Sequence, residues 1–355
     1  MESVADLRRF AVSRSLFSPT TLTAAIERMG FVQADPIRAP ARAQDLTLRP
    51  RVGGYRAGDL EGAYASLPFE EDFFINYGFV TKRLQSLMHP RASLTPTASN
   101  KRARAILEFV RERGSVHPRE VDAHFAHGRV TNWWGGSSNA TTQMLELMHY
   151  KGLLRVARRD NGIRIYAVQQ HGKGPEGAAG RRAHLDALVD TVVDLYAPIP
   201  AASLSFIVRR IRYAVPHWQG EVTAALARAR ARLARREFDG QTWYWPEGDD
   251  TALPAVESVR FLAPFDPVVW DRRRFELLWG WAYRFEAYTP ARQRKLSYYA
   301  LPMLWRDRVI GWANVAMRDR EMAADLGFVA GRAPRDRGFR LALNAEIEAM
   351  RAFLR

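Results

Sequence analysis

Residues 153–158 and 163–168 alternate apolar and polar side chains on either side of Asp160-Asn-Gly162, and this pattern limits the fold more than any other feature of the chain. Asn-Gly supplies the positive φ angles that a tight hairpin turn requires. The alternation gives each strand one core-facing side. Three helical segments precede the hairpin: residues 102–113, ending at Gly114; 117–125, with Pro118 in the first turn; and 139–151, ending at Gly152. Three helices followed by a hairpin predict a winged helix, with the third helix reading a groove and the hairpin as wing.

The arrangement returns. After a Gly-rich linker at 172–180, helices are expected over 181–196, 202–214 and 219–233, and residues 235–238 and 241–245 then flank Asp239-Gly240 as a second hairpin. Upstream, residues 5–16 read as an amphipathic helix. A second helix is expected to open with Ser18 as N-cap and Pro19 at its first position, run to Met29 and stop at Gly30. Residues 256–265, 283–288, 296–305 and 308–317 read as strands of a small β-barrel or curled sheet, and residues 340–355 as a closing amphipathic helix. The fold class is therefore α+β and mostly helical, with tandem winged-helix motifs and a C-terminal small β-barrel. The expected divisions are 1–100, 101–170, 181–248 and 255–355.

Charge points to a partner. The 355 residues include 53 Lys and Arg against 38 Asp and Glu, a formal net charge of +15. Arginine dominates, and its planar fork suits phosphates and base edges. Double-stranded DNA fits this excess, although Arg-rich surfaces also arise from genome composition alone. With no cysteine, disulfides, thiolate zinc sites and iron–sulfur clusters are excluded. The eight histidines lack metal-ligand spacing, and no nucleotide-binding glycine motif or nucleophile elbow occurs. No metal or cofactor is expected. The opening residues carry no uncharged apolar core, and no stretch is long enough to span a membrane. A cytoplasmic, nucleoid-associated monomer is the expectation.

Gln33 and Asp35 carry the best catalytic candidate. Pro36 keeps Asp35 out of helical backbone, and in an extended segment residues two apart share a face. A carboxamide and a carboxylate then converge. N-glycosidic hydrolysis needs little more: a carboxylate to stabilise the sugar cation and deprotonate water, and a partner to position that water. The plainer alternative is a polar turn before Pro36.

Phosphate contacts are expected nearby from Arg38, Arg42, Arg49 and Arg51, and in the first wing from Arg155, Arg158, Arg159 and Arg164. Trp133 and Trp134 suit stacking on a base or sugar, or equally one packs in the core and the other under the wing, and Asn139 opens the groove-reading helix. Arg272, Arg273 and Arg274 follow one another, so they cannot all point one way; one is expected to pair with Asp266, Asp271 or Glu276, another to reach DNA. Glu286 and Asp307 read as structural carboxylates.

Phe265-Asp-Pro-Val-Val-Trp-Asp-Arg-Arg-Arg274, Tyr283-Arg-Phe-Glu-Ala-Tyr-Thr-Pro290, Tyr298-Tyr-Ala-Leu-Pro302 and Met29-Gly-Phe-Val-Gln-Ala-Asp-Pro-Ile37 resemble the YcaQ/AlkZ-like winged-helix DNA glycosylases. The likeness spans nearly the whole chain and includes the Trp133-Trp134 pair. It implies three winged-helix motifs and a β-barrel in a C-shaped basic channel. It also implies monofunctional excision of alkylated purines and, for the Gln-x-Asp form, unhooking of interstrand crosslinks. By the same likeness Asp35 activates water and stabilises the sugar cation, and Gln33 positions water or sugar. The chain departs from the family at Asp72-Phe-Phe-Ile-Asn76, where members carry a Tyr-Trp-Ala-His-like string, and at Gln44, where they often carry an aromatic or His. A non-enzymatic winged-helix regulator is the alternative, and an RNA-associated protein a third reading.

Overall fold

The computed structural model describes residues 1–91, 101–126, 128–131, 137–172, 174–250, 257–319 and 321–355. Among them are thirteen α-helices and short strands, an α+β fold. The chain forms two compact units: Met1–Asp59 with Val189–Val208 and Leu226–Arg355, and Leu60–Leu188 with Arg209–Ala225. Among the described residues, no helix is long and apolar enough to cross a membrane.

In the first unit, helix Val4–Ser15 opens with a capping box between Ser3 and Asp6 and buries Leu7, Phe10 and Ala11. The next helix is Leu22–Met29, and its N-cap is Thr21, whose hydroxyl accepts from Ala24 N–H at 3.2 Å. The expected start at Ser18 is corrected. Thr20 is bridged to Val52 and donates to the Arg51 carbonyl at 2.9 Å, so the chain stays extended until that pairing is made. Gly30 ends the helix at φ +71°, and a Cβ there would lie 3.1 Å from Thr191.

Strands Val259–Phe261, Leu301–Trp305, Arg308–Arg318 and Glu321–Phe328 pair in sequence order as an antiparallel meander. The sheet is an open half-barrel, which fits the curled sheet of the two forms expected. Residues 283–288 do not join it, because the Glu286 carboxylate ties this segment into a loop by accepting from Lys295 and Leu296 N–H, both at 2.8 Å. Glu286 is thereby structural. The fourth strand, Glu321–Phe328, escapes pattern reading because Ala, Asp and Gly are poor strand formers. Its pairing depends on Gly327, where a Cβ would sit 2.1 Å from the Trp312 ring. The closing helix Arg337–Leu354 begins earlier than expected, at an Asp336 cap. It sets Phe339 edge-on to Trp305 and Phe328.

Hairpin Ala234–Phe238/Gln241–Trp245 turns at Asp239 and Gly240, φ +48° and +69°, and strand Ile199–Pro200 adds to its second strand. Helices Ala201–Arg210 and Val222–Arg232 precede it.

The second unit holds helices Lys101–Arg113, Pro118–Phe125 and Ala140–Tyr150, followed by hairpin Leu154–Asp160/Ile163–Val168. Asn161 and Gly162 turn it at φ +50° and +83°, as Asn-Gly requires. Strand Ser115–Val116 adds to its edge. A further hairpin pairs Phe69–Phe73 with Tyr77–Thr81.

Candidate active site

Strand Phe31–Gln33 brings Asp35 out of the core, since Phe31 and Val32 are buried while Gln33 and Asp35 are half-buried. The strand ends at Gln33. Asp35 then folds an Asx turn: its Oδ1 accepts from Ile37 N–H at 2.9 Å. Its own N–H donates to the Gln44 side-chain oxygen at 3.3 Å. Among the described residues no cation pairs with the carboxylate, and Oδ2 has no hydrogen-bond partner. Burial raises the Asp35 pKa above the ordinary value, with the Ile37 N–H opposing. The group is thus a carboxylate with one oxygen fixed and one available, and a stronger base than a solvated aspartate. Its charge reaches the Tyr288 and Tyr299 hydroxyls, raising both behind the leading effect of burial. Tyr288 is 81% exposed.

The arginines after Asp35 part company. Arg38 is exposed and Arg42 half-buried. Arg49 and Arg51 are corrected from phosphate contacts to internal struts. Arg51 is 0% exposed and forks onto Asp266 at 2.7 and 3.1 Å, while also donating to the Thr47 and Ser15 carbonyls. Arg49 pairs with Glu346, whose Oε1 also accepts from Phe261 N–H at 2.6 Å. A run of arginines reads as one surface, but helix Ala43–Leu48 turns its C-terminal end inward onto buried carboxylates.

The triple arginine separates likewise. Asp271 caps helix Arg272–Trp279 by accepting from Arg273 and Arg274 N–H. Arg273 is exposed. Arg272 is half-buried, stacks 4.6 Å from the Tyr283 ring centre and donates to the Val269 carbonyl. Arg274 is fully buried, and among the described residues its guanidinium hydrogen-bonds no carboxylate: its partners are the Pro198, Ala197, Pro267 and Val268 carbonyls, at 2.8 to 3.4 Å. Burial lowers its pKa to about 10. It cannot reach DNA, and the carboxylate pairing expected of this run falls to Arg51 instead.

In hairpin Leu154–Asp160/Ile163–Val168, Arg158 is exposed and pairs with Asp160 at 3.1 Å. Arg159 is corrected to an internal role, since it forks onto fully buried Glu71 at 2.5 and 2.6 Å, and Arg155 holds Glu70 at 2.7 Å. Arg164 lies over the Tyr77 ring at 4.4 Å. The Asn139 oxygen caps helix Ala140–Tyr150, accepting from Thr141 and Thr142 N–H. Trp133 and Trp134 lie outside the described residues.

The departure at Asp72 has a structural meaning. Its buried carboxylate hydrogen-bonds His89 at 2.7 Å and pairs with Arg91 at 2.9 Å, and the Arg91 charge followed by the His89 contact holds it far below the usual carboxylate range against its burial. Nearby His149 hydrogen-bonds the Glu71 carbonyl at 2.8 Å, and burial lowers its pKa to about 4.

Sequence reasoning assigned no site role to Tyr288, Tyr298 or Tyr299. The signal available was the aromatic density of residues 283–299.

The family model for AlkZ-like DNA glycosylases matches residues 26–353. The fold is similar to Streptomyces sahachiroi DNA glycosylase AlkZ, with a TM-score of 0.62 over 99% of this chain and 96% of that one, at 14% sequence identity.

Proposed function

The chain belongs to the AlkZ-like DNA glycosylase family, and within it we propose a monofunctional enzyme that excises alkylated purines, or unhooks interstrand crosslinks, from double-stranded DNA. The observation that carries this reading is the state of Asp35: one oxygen fixed by Ile37, the other without a partner among the described residues, and the carboxyl pKa raised by burial. Asp35 takes a proton from water, the water oxygen bonds to the sugar carbon, and the glycosidic electron pair leaves with the base. An alkylated purine already carries positive charge, so it departs without strong acid assistance. Gln33, at the end of its strand, positions water or sugar.

DNA is held by tandem winged helices in residues 101–170 and 181–248, with helices Ala140–Tyr150 and Val222–Arg232 toward the duplex. The order of three helices and an Asn-Gly or Asp-Gly hairpin supports this. Exposed Arg38, Arg158 and Arg273 supply phosphate contacts.

Purified protein incubated with duplex carrying N7-methylguanine should release the free base and leave an abasic site. Asp35→Asn should bind the same duplex and release none. Duplex binding without base release from any alkylated or crosslinked substrate would instead mark a non-enzymatic DNA-binding protein.

A further inference from the structure

Two buried polar atoms at one cleft lack any hydrogen-bond partner among the described residues: Tyr299 Oη and Asn314 Oδ1. Burying such groups unpaired costs free energy that a ligand can recover. The cleft, of about 410 Å³, falls within the roughly 300–1,000 Å³ range of small-molecule sites. One wall begins at Arg38, three residues beyond Asp35, and continues through Ala39 and Pro40. The opposite wall is one face of the ribbon Arg308–Arg318/Glu321–Phe328, where Asn314 sits across from Asp325 and Ala316 across from Ala323. The alanine pair leaves a flat, shallow platform between polar neighbours. Tyr298, 39% exposed, stands at the same cleft, its ring backed by Arg294 at 5.0 Å.

We propose that this cleft receives the extruded base: a cationic, alkylated purine lies on the Ala316–Ala323 platform beside Tyr298, with its polar edge toward Tyr299 and Asn314. Tyr299 donates to a ring or exocyclic acceptor, and the Asn314 oxygen accepts from a base N–H, a pairing that both purine edges can offer. Asp325 supplies the counter-charge that distinguishes an alkylated purine from its neutral parent. Burial, followed by the Asp35 charge, keeps the Tyr299 hydroxyl protonated and therefore a donor. An aromatic face, a cleft that unstacked bases can enter and a donor–acceptor pair at its floor are what base extrusion calls for.

This assignment rests on the glycosylase reading above, so its test must separate the two. The 7,9-dimethylguaninium cation, which keeps the positive charge that free 7-methylguanine lacks and carries no sugar to be cleaved, is titrated at pH 6 against the full chain by ligand-observed NMR. Wild type should bind it, and Asn314→Leu and Tyr299→Phe should each weaken binding about tenfold, with affinity for undamaged duplex unchanged. Tyr299→Phe removes one oxygen and keeps the ring, so it guards against misfolding in the Asn314 variant. The cleft assignment is overturned if wild type binds no base, or if both variants bind it as wild type does, even while excision proceeds. Base binding that depends on Tyr299, in a protein that excises nothing, would leave the cleft standing and remove the proposed reaction.

Discussion

The Gln44 side-chain oxygen accepts the backbone N–H of Asp35 at 3.3 Å, so buried Gln44 fixes the main chain that carries the candidate base. Gln44→Ala should therefore act through position. Loss of one such bond is worth about 1 kcal/mol, roughly fivefold in the single-turnover rate. Affinity for the damaged duplex should hold. An unchanged rate would mean that the Asx turn alone holds Asp35.

Asp35 links activity to pH with a definite sign. Its pKa is raised in the folded chain and its ionised form is the base, so excision should fall as pH drops through a value above the ordinary ~3.9. Stability runs the other way. A raised folded pKa stabilises the protonated form, and that contribution is lost as pH rises through it. Asp35→Asn should therefore have an unchanged or higher Tm while losing excision. A clear fall in Tm on calorimetry would refute this account of the site.

Arg51 and Asp266 are both fully buried and bonded twice. Asp266→Ala leaves a buried guanidinium without its counter-ion and should cost about 3–5 kcal/mol in urea unfolding. Arg51→Lys keeps the charge but loses the fork, and should also destabilise.

Exposed arginines should show themselves through salt. Replacing Arg38, Arg158 or Arg273 by Ala should lower the slope of log K against log salt by about 0.9 for each lost phosphate contact. The Arg158–Asp160 pair is at the surface and too weak to withhold Arg158 from DNA. A Glu346 substitution that frees buried Arg49 should change Tm and leave the slope alone.

His149 predicts acid sensitivity. Its folded pKa, about 4, lies below the ~6.5 of the unfolded chain. Its stabilising contribution is present above pH 6.5 and is lost as pH falls toward 4, about 2 kcal/mol between pH 7 and 5. Burial is the main cause; Arg164 adds to it, while Asp72 and Glu71 oppose it. Asp72 and Glu71, both held below their ordinary pKa, lose stability in the same direction at lower pH. The urea midpoint of His149→Gln should vary less between pH 7 and 5 than that of wild type.

Local signals carried much of the fold. Asp160-Asn-Gly162 and Asp239-Gly240 marked two real hairpins, because positive φ is a demand of the turn itself. Gly30 and Gly114 likewise mark helix ends at positive φ. Glu321–Phe328 was not legible, since its pairing depends on Trp312 of the neighbouring strand lying over Gly327. Within the candidate site, the spacing of Asp35 to Gln33 and Pro36 singled it out, but its Asx turn onto Ile37 was not legible in that spacing. The fates of Arg49, Arg51, Arg159 and Arg274 were not, because burial depends on carboxylates or carbonyls far along the chain. Asn314 and Tyr299 meet at one cleft only once residues 38–40 and the β-ribbon are assembled.

Arg274 makes assembly an all-or-none affair. A cation lodged among four carbonyls, two from residues 197–198 and two from residues 267–268, gains its full coordination only when both loops are in place. With one loop absent, the guanidinium would be better off in water. Partly ordered forms of this region are thus penalised relative to both the native and the unfolded chain, which sharpens the unfolding transition beyond what apolar packing alone provides.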